Sequence, residues 1–378
     1  MELYIHLPFC RSKCRYCDFP SYAGCESYMA SYVDALLQEA SMEASTPLET
    51  AFIGGGTPSI LPAPLMKKLL CGLHEHFVFS ADAEFTSEAN PGTLTQAWLD
   101  EAVAGGVNRL SLGMQAYQPA LLRMLGRIHN FEQVSHAVAL ARASGISNIN
   151  LDLMFGLPGQ TLADWHETLD AALSLHPDHL SCYGLIPEEG TPLTADLDTG
   201  RLSLPDEAVE RAMYDDTLHI LASHGFAQYE ISNFAKPGRA CKHNLGYWRQ
   251  VPYLGLGASA SSMLPDPSGT SAYLRRTNPP ALHDYLHMME SGTFTLRETL
   301  PISREEAMFE TLMLGLRTTA GVSEADFSAM HGQPLANKYG AILETLRMQG
   351  LLGHTDGRWY LTRRGMDVQN AILVELME

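Results

Sequence analysis

The sequence predicts an α/β protein whose main part is a partial (β/α)6 barrel of the TIM type, followed by a smaller C-terminal α+β domain. Apolar, β-rich runs alternate with amphipathic helical patterns from the start of the chain to about residue 185. Each β–α unit takes roughly thirty residues, the length of a right-handed crossover between parallel strands. Six such units are too few to close an eight-stranded barrel, so the sequence favours an open or partial one.

Six strands and five intervening helices account for the first half of the chain. The predicted strands are residues 3–7, 50–53, 83–86, 108–112, 148–154 and 179–183. The predicted helices between them are residues 28–42, 63–77, 96–104, 131–143 and 162–175. In parallel α/β folds, ligand sites gather at the carboxyl ends of the strands, and we expect the functional residues of this chain there.

The second half of the sequence is less regular. Its predicted elements are a helix at 205–225, an extended segment at 229–235, a loop at 236–260, helices from 303 onwards and a hairpin at 350–361 around Asp356-Gly357. Helices followed by a hairpin resemble a winged-helix unit, which we interpret as a packing module. The predicted domains are the barrel at 1–200, a connecting region at 201–300 and a winged-helix-like domain at 301–378.

Composition and charge exclude several classes of protein. The 378 residues are 46% hydrophobic and 18% charged, which is typical of a folded globular chain. Acidic residues outnumber Lys and Arg by 43 to 25, for a net charge of −18. This acidity argues against nucleic-acid binding and against adhesion to anionic lipid. The sequence shows neither a bilayer-spanning run nor a secretory signal, so we expect a cytoplasmic protein.

Three of the seven cysteines crowd together at Cys10, Cys14 and Cys17, with the spacing C-x3-C-x2-C. In a reducing compartment, such crowding indicates metal ligation or redox chemistry. Three thiolates on one short loop fit one face of a [4Fe–4S] cluster and leave its fourth iron without a protein ligand. The alternatives are ordinary buried cysteines or a zinc site completed by Cys25 or His6, since zinc takes four ligands.

Unusual residues also follow the other strand ends. Gly54-Gly55-Gly56-Thr57 follows the second strand, where glycine lets a ligand approach the backbone, although a plain turn is the alternative. Glu88 follows the third strand and Gln115 the fourth. Asp152 lies in the apolar fifth strand, where an unpaired charge is costly, so we expect it to face a polar ligand. Since these ends meet at one edge, the sequence predicts a single pocket.

The cysteine spacing, with Tyr16 as the aromatic residue before the third cysteine, resembles the signature of the radical S-adenosylmethionine (SAM) superfamily. The resemblance covers residues 3–185. It implies a [4Fe–4S] cluster on the three cysteines, whose open iron binds the amino and carboxylate groups of SAM. Electron transfer then cleaves SAM to a 5′-deoxyadenosyl radical. The same resemblance places Tyr16 beside SAM and assigns the loop with Gly55, Gly56 and Thr57 to its amino group.

Further motifs resemble the branch that contains oxygen-independent coproporphyrinogen dehydrogenases and their relatives. The run YIHLPFC that begins at Tyr4 matches the first strand of that branch and adds Tyr4 to the expected SAM contacts. The resemblance also implies that Glu88 binds SAM through its carboxylate. It places Gln115, Arg127 and Asp152 around the ribose and methionine ends of SAM. For Arg127, a surface charge on a helix is the alternative.

Residues 241–248 read C-K-H-N-L-G-Y-W and contain the pattern H-N-x-x-Y-W. The pattern resembles the heme-associated motif of HemW-like heme chaperones, a family in the same branch, and implies that His243, Tyr247 and Trp248 contact heme. An imidazole can ligate heme iron, and aromatic rings can pack on a flat macrocycle. Cys241 and other histidines leave the axial ligand open. The structural alternative is a hydrogen-bonded core histidine among buried aromatic residues.

Two functions therefore compete. One is a heme chaperone that transfers heme to heme-dependent proteins such as respiratory ones, and the other is an oxygen-independent coproporphyrinogen III dehydrogenase that forms protoporphyrinogen IX. The dehydrogenase resemblance expects a further cysteine where this chain has Phe19, and an N-terminal arm before the first strand. We therefore predict the chaperone, with a [4Fe–4S] cluster, SAM and heme, and leave enzymatic activity open. The expected partners are heme-accepting proteins, with membrane contact only through such a protein; a homodimer is left open.

Overall fold

The computed structural model describes residues 1–43 and 46–377 and contains one large mixed sheet, a small C-terminal sheet and a short two-stranded pair. The strands are β1 (Glu2–Leu7), β2 (Phe9–Cys10), β3 (Tyr22–Ala23), β4 (Leu48–Gly55), β5 (Phe79–Ala89), β6 (Arg109–Gln115), β7 (Asn148–Phe155), β8 (His179–Gly184), β9 (Ala227–Gln228), β10 (Asn233–Ala235), β11 (Tyr253–Leu256), β12 (Ser261–Leu264), β13 (Tyr273–Thr277), β14 (Glu298–Ile302), β15 (Val322–Ser323), β16 (Leu352–Thr355) and β17 (Arg358–Leu361). The helices are α1 (Met29–Ser41), α2 (Ala63–His76), α3 (Gln96–Ala104), α4 (Pro119–Met124), α5 (Phe131–Ala143), α6 (Leu162–Ser174), α7 (Pro192–Asp198), α8 (Glu207–Ser223), α9 (Lys242–Trp248), α10 (Leu282–Ser291), α11 (Arg304–Gly315), α12 (Glu324–His331), α13 (Ala336–Met348), α14 (Arg363–Asp367) and α15 (Gln369–Met377).

The six predicted strands form the parallel centre of the large sheet, which confirms the expected α/β class. The strand order is β14-β13-β12-β11-β1-β4-β5-β6-β7-β8-β10-β9. From β1 through β8, neighbouring strands of this order pair in parallel. β11 adds a further parallel strand beside β1, and β10 pairs antiparallel with β8. No pairing within the described residues joins β14 to β9, so the barrel is open.

Side chains alternate along the barrel strands between an apolar outer face and a polar inner face. On β1, Leu3 and Ile5 are fully buried and belong to the main apolar core. The alternate positions are polar and contact one another, as where Asn150 Nδ2 donates to Ser111 Oγ over 2.7 Å. The buried polar residues of this inner face are Glu2, Thr50, Glu84, Thr86, Arg109, Ser111, Asn150, His179 and Ser181. This period of two makes the inside of the barrel a polar space.

The five helices predicted in the first half are observed as α1, α2, α3, α5 and α6, with ends within one residue of those expected. Local capping explains two of the starts. The side chains of Asn130 and Thr161 accept the backbone N–H groups of Gln133 and Asp164, in the first turns of α5 and α6. The short helices α4 and α7 were not predicted. Over the described residues, no helix is both long and apolar enough to cross a membrane.

The predicted loop at 236–260 is wrong, because this segment contains α9 and β11. The carboxylate of Glu84 accepts the backbone N–H groups of Lys242 and His243 at 3.1 and 3.2 Å. A carboxylate at this position satisfies free N–H groups of the first turn and interacts favourably with the helix dipole. Glu84 lies 158 positions before Lys242. The helix therefore depends on a partner that the local sequence does not reveal.

The C-terminal part has its own apolar core, in which Leu312, Phe327 and Trp359 are buried. β16 and β17 form the predicted hairpin, whose turn residues Asp356 and Gly357 have φ of 51° and 70°, as a type I′ turn requires. With β15 paired to β17, the order of three helices and a hairpin is that of a winged-helix unit. The domain boundaries near 200 and 300 stay a prediction.

Candidate functional site

The three clustered cysteines lie directly after β1, at the carboxyl end of the barrel strands, which we call the rim. Cys10 ends β2, Cys14 and Cys17 occupy the following loop, and all seven cysteines are free thiols. Two of the sulfurs accept from neighbouring side chains, since the Thr57 hydroxyl donates to Cys10 Sγ at 3.6 Å and Arg127 Nη1 donates to Cys14 Sγ at 3.4 Å. The cysteine loop is thereby joined to the segments that follow β4 and α4.

The charges around the cysteines suit a thiolate cluster. Burial raises the pKa of the Cys17 thiol, and the nearby Cys14 and Cys10 thiols raise it further, while Lys13 lowers it. Thiolates that crowd together favour bound cations, and the guanidinium of Arg127 adds a fixed positive charge. In the described part of the chain, no three His, Cys, Asp or Glu side chains are placed to hold a metal ion. In a [4Fe–4S] cube each thiolate binds a different iron, and this donor set fits such a cluster.

The glycine-rich turn after β4 packs closely on the cysteine loop. The N–H groups of Gly56 and Thr57 donate to main-chain carbonyls of β1 and β2 at 2.9 and 2.7 Å. Gly55 has φ 105°, and a Cβ there would lie 2.4 Å from the His6 ring. A Cβ at Gly56 would lie 2.5 Å from a β2 carbonyl oxygen. Glycine is therefore required at both positions by the close approach of neighbouring groups.

Glu88 lies near the end of β5, beside the glycine-rich turn, and has a perturbed carboxyl group. Its Oε2 accepts the Gly55 N–H at 3.2 Å. Burial raises the pKa of Glu88 to about 8, the carboxylate of Asp152 adds to the rise, and the Gly55 N–H opposes it. The charged form is poorly compensated by the protein, so a cationic group of a ligand would stabilise it.

Tyr4 and His6 form a hydrogen-bonded pair on the inner face of β1. His6 Nδ1 lies 2.9 Å from the Tyr4 hydroxyl, and His6 Nε2 lies 2.9 Å from the carbonyl oxygen of Pro20. Since a carbonyl only accepts, Nε2 carries the proton and the tyrosine hydroxyl donates to Nδ1. Burial lowers the pKa of His6, which keeps the ring neutral. Both ring nitrogens are engaged, so His6 is not poised to complete a zinc site.

Gln115 has a left-handed backbone conformation at the end of β6, with φ 65°. The pairing of β6 with β7 changes register at this point. Arg127 reaches the same place, where its Nη2 donates to the carbonyl of Gly113 at 2.8 Å. A non-glycine residue held at positive φ costs free energy and often marks a binding site. Arg127 is therefore part of the rim, in the segment after α4, and does not lie on a surface helix.

Asp152 belongs to a hydrogen-bonded row inside the barrel. Its carboxylate accepts from Asn150 Nδ2 at 2.8 Å and from Ser111 Oγ at 3.0 Å. Asn150 Oδ1 lies 2.6 Å from His179 Nδ1, and His179 Nε2 lies 2.8 Å from the Tyr229 hydroxyl. Burial raises the pKa of Asp152, and the hydrogen bonds from serine and asparagine oppose the rise. The carboxyl group, for which a polar ligand was predicted, thus also has partners within the protein.

Tyr16 packs beside the cysteines against the apolar cluster that contains Leu121 and Leu193. Burial raises the pKa of its hydroxyl, and the guanidinium of Arg127 opposes the rise. Direct contacts and shared partners therefore bring the predicted rim residues into one region. These residues are Tyr4, Cys10, Cys14, Tyr16, Cys17, Gly55, Gly56, Thr57, Glu88, Gln115, Arg127 and Asp152.

The H-N-x-x-Y-W motif lies on α9, which contacts the amino ends of the barrel strands, here called the floor. His243 is 1% exposed, its Nδ1 lies 2.7 Å from the Thr50 hydroxyl, and its ring stacks on Phe52 with 5.2 Å between centroids. Burial lowers the pKa of His243 to about 3, so the ring is neutral. The Tyr247 ring meets it edge-on at 4.8 Å. This geometry is that of a hydrogen-bonded core histidine, and heme contact by the motif stays a prediction.

Trp248 faces a different environment from the other two motif residues. The guanidinium of Arg317 lies 4.7 Å from the centre of its ring. The Trp248 side chain also lines a cavity between α9 and the C-terminal part, and its buried Nε1 has no hydrogen-bond partner among the described residues. His243, Tyr247 and Trp248 therefore do not share one face, since the first two pack on each other against the floor.

The sequence analysis missed the polar residues of the inner face. Arg109 is 2% exposed on β6, and its Nε has no hydrogen-bond partner within the described residues. Glu84 holds the first turn of α9, and Asn150 and His179 form the row that ends at Asp152. The available signal was a polar side chain at every second position of otherwise apolar strands, which predicts a polar barrel interior.

The chain is similar to known proteins over nearly its whole length. Residues 4–172 match the radical SAM superfamily model, and residues 302–368 match the HemN C-terminal domain model. The chain is 39% identical to the heme chaperone HemW of Bacillus subtilis, over 98% of this chain and 97% of that protein. It is 33% identical to the heme chaperone HemW of Escherichia coli, over 99% and 97%. The solved coproporphyrinogen III oxidase HemN of Escherichia coli superposes with a TM-score of 0.83 at 24% identity, over 99% of this chain and 89% of that one.

The fold and the cysteine loop thus define a radical SAM protein with a HemN-type C-terminal domain. Within that superfamily the chain belongs to the family of the HemW proteins, as the full-length identity with these relatives shows. The family and the fold class predicted from the sequence are both confirmed.

Proposed function

We propose that this protein is a heme chaperone, which binds heme and transfers it to heme-dependent proteins such as respiratory ones. The observation that carries the proposal is the likeness, over nearly the whole chain, to relatives that are named heme chaperones. That likeness extends well beyond residues 4–172, which match the superfamily model. The proposed setting is the cytoplasm, with membrane contact only through a heme-accepting partner.

The proposed cofactors of the rim are a [4Fe–4S] cluster and SAM. Cys10, Cys14 and Cys17 would hold the cluster by three irons and leave the fourth for SAM. When bound, this pair supplies one-electron chemistry that can cleave SAM. The contribution of the chain is electrostatic, because Arg127 and the Thr57 hydroxyl both donate to cysteine sulfurs. Charge-assisted hydrogen bonds of this kind stabilise thiolates.

The remaining rim residues would position SAM. Glu88 is suited to the ammonium group, since its carboxylate gains a cationic partner that the protein itself does not supply. Gly55 and Gly56 let the turn pack tightly on His6 and on β2, which holds the Gly55 N–H against the Glu88 carboxylate. Gln115 and Asp152 would contact the ribose and methionine ends. On α9, the heme contacts that the resemblance implies are His243, Tyr247 and Trp248, of which Trp248 lines the cavity between α9 and the C-terminal part.

One observation bears on the competing dehydrogenase function. The likeness to coproporphyrinogen III oxidase speaks for a shared fold alone. Phe19 is 60% exposed at the position where the dehydrogenase resemblance expects a cysteine. A phenylalanine side chain supplies neither a thiol nor a metal ligand, so the chemistry that this cysteine serves is missing. The chaperone is therefore the better-supported function.

The experiment that tests the proposal uses the full chain, reconstituted anaerobically with iron and sulfide. An absorption titration with heme is run beside a turnover assay with coproporphyrinogen III and SAM. We expect saturable heme binding at a stoichiometry of one per chain and no protoporphyrinogen IX. Subsequent mixing with an apo-form heme protein should move the heme to the acceptor.

Two outcomes would contradict the proposal. Rapid conversion of coproporphyrinogen III with consumption of SAM would assign the chain to the dehydrogenases. Failure of heme to bind at micromolar concentration would remove the chaperone function altogether.

A further inference from the structure

The H-N-x-x-Y-W motif borders a cavity that its tryptophan, Trp248, lines and its histidine, His243, does not. This cavity, here called the α9 cavity, has a volume of about 380 Å³ and lies between α9 and the C-terminal helices. Its apolar wall includes Trp248, Phe327 and Met330. Arg249 and Arg358 also line it. A concave site with an aromatic wall and a few polar groups is typical of a small-molecule site.

The two arginines of the α9 cavity retain donors for a ligand. Within the described residues, the Arg249 guanidinium makes neither an ion pair nor a hydrogen bond. Arg358 has only long contacts, at 3.7 Å to the Asp326 carboxylate and 3.4 Å to the carbonyls of Ala320 and Gly321. Since guanidinium groups bind carboxylates with two parallel N–H donors, this cavity suits an anionic ligand.

The aromatic wall has an unpaired group of its own. The Nε1 of Trp248 is buried beside the cavity without a hydrogen-bond partner in the described chain. The Arg317 guanidinium lies over one face of this indole. A flat aromatic ring system would pack on the opposite face, and the N–H could donate to an acceptor on it. The combination of a flat apolar wall and two guanidinium groups matches a planar macrocycle that carries carboxylates.

We propose that the α9 cavity is the binding site of heme. The heme macrocycle packs on Trp248, and the two propionates bind Arg249 and Arg358. This inference rests on the proposed function and gives the motif two separate roles. Trp248 contacts the ligand, while His243 is a positioning residue that fastens α9 to Thr50 and does not line the cavity. Of the residues that the structure describes, neither a histidine nor a cysteine lines the cavity. The cavity does contain Tyr229 and Met330, whose residue types can ligate heme iron. We assign the binding mainly to the ring and the carboxylates, because the flat wall and the two arginines suit these groups.

The first test measures this independence from iron. Heme and iron-free protoporphyrin IX are titrated separately into the full chain, with absorption and fluorescence as readouts. We expect the two dissociation constants to agree within about tenfold, because the main contacts are to the ring and the carboxylates. Binding of heme with no binding of protoporphyrin IX would overturn the inference and favour iron ligation by the motif histidine.

The second test removes the carboxylate contacts. In the double variant Arg249→Gln/Arg358→Gln, heme should bind about tenfold or more weakly than in the unmodified chain. Heme dimethyl ester, whose carboxylates are blocked, should bind both proteins equally weakly. The matched control is Arg347→Gln/Arg364→Gln, because neither of these arginines lines the cavity, and it should bind heme normally. Thermal unfolding followed by circular dichroism checks that each variant is folded.

The outcomes separate this inference from the proposed function. If the unmodified chain does not bind heme at all, the proposed function fails. If the chain binds heme but the cavity double variant binds it equally well, the chaperone function stands and heme does not bind in the α9 cavity. If the ester binds as tightly as heme, the two arginines have no role in binding.

Discussion

Two carboxylates at opposite ends of the barrel, Glu88 at the rim and Glu84 at the floor, differ in how they are hydrogen-bonded. At the rim, Glu88 accepts one backbone N–H, and its pKa is raised to about 8. At the floor, Glu84 accepts three donors, which are the backbone N–H groups of Lys242 and His243 and the thiol of Cys241 at 3.3 Å. Glu84 at the floor accepts three hydrogen bonds from the start of α9, whereas Glu88 at the rim accepts only one within the described chain. Glu88 is therefore available to a ligand, whereas Glu84 holds the fold together. The contrast is between these two residues, since the floor also contains Glu2, whose buried Oε2 has no hydrogen-bond partner in the described chain.

The largest expected effect is the loss of the [4Fe–4S] cluster, which shows whether the rim is where the cluster binds. Replacing Cys10, Cys14 and Cys17 together by alanine should abolish the [4Fe–4S] cluster, because no thiolate then remains to hold it at the rim. Iron and sulfide analysis with absorption near 400 nm measures the loss after anaerobic reconstitution. Cys71→Ala, in an exposed position on α2, is the control and should keep full iron content. A triple variant that still holds a full cluster would contradict the assignment.

The next largest effect is expected on the free energy of unfolding, to which the contact of Glu84 with α9 at the floor contributes. Glu84→Ala leaves the first turn of α9 without its acceptor and the nearby buried Arg109 with less negative charge around it. We expect a loss of about 3 kcal/mol in the free energy of unfolding, measured by urea titration. Asp82→Ala is the matched control on the same strand, because its exposed carboxylate reaches Lys242 only at 3.5 Å. It should cost less than about 0.5 kcal/mol. Equal losses in the two variants would show that α9 is not held through Glu84.

The smallest effect on stability is expected from a substitution at the rim, Glu88→Gln, which should nevertheless weaken the binding of SAM. Glu88→Gln should weaken SAM binding about tenfold, because the ammonium group loses a charged acceptor. Isothermal titration calorimetry of the reconstituted protein measures this change. A variant that binds SAM as tightly as the unmodified chain would remove Glu88 from the site.

The same variant also has a pH signature. The folded protein keeps Glu88 protonated between the ordinary value of 4.5 and about 8, a range in which the unfolded chain has released the proton. The stability contributed by this carboxyl group therefore falls as the pH rises through that window. In Glu88→Gln the urea midpoint should change less between pH 5 and pH 8. The urea midpoint of the variant should still fall somewhat with rising pH, since burial also raises the pKa of Glu2 to about 8.

The comparison of the two ends also explains what the sequence could predict. Rim residues lie at the ends of their strands, so strand prediction and parallel topology were enough to place Glu88 and Gln115 at one edge. The floor is assembled from remote segments. The first turn of α9 is held by Glu84, and the local pattern around Lys242 indicates only a loop. The separate environments of His243 and Trp248 likewise follow from packing against Thr50 and the C-terminal helices, which the motif itself does not encode.

The row that crosses the barrel has a fixed polarity. Burial lowers the pKa of His179 far below its ordinary value, so the neutral ring carries one proton. That proton sits on Nδ1, because the oxygen of Asn150 can only accept, and the Tyr229 hydroxyl must then donate to Nε2. The amide of Asn150 donates onward to Asp152. The hydrogens of these bonds thus all point from Tyr229, which lines the α9 cavity, towards Asp152 at the rim. A single imidazole tautomer, that of His179, sets the direction of the hydrogen bonds between the cavity and the rim.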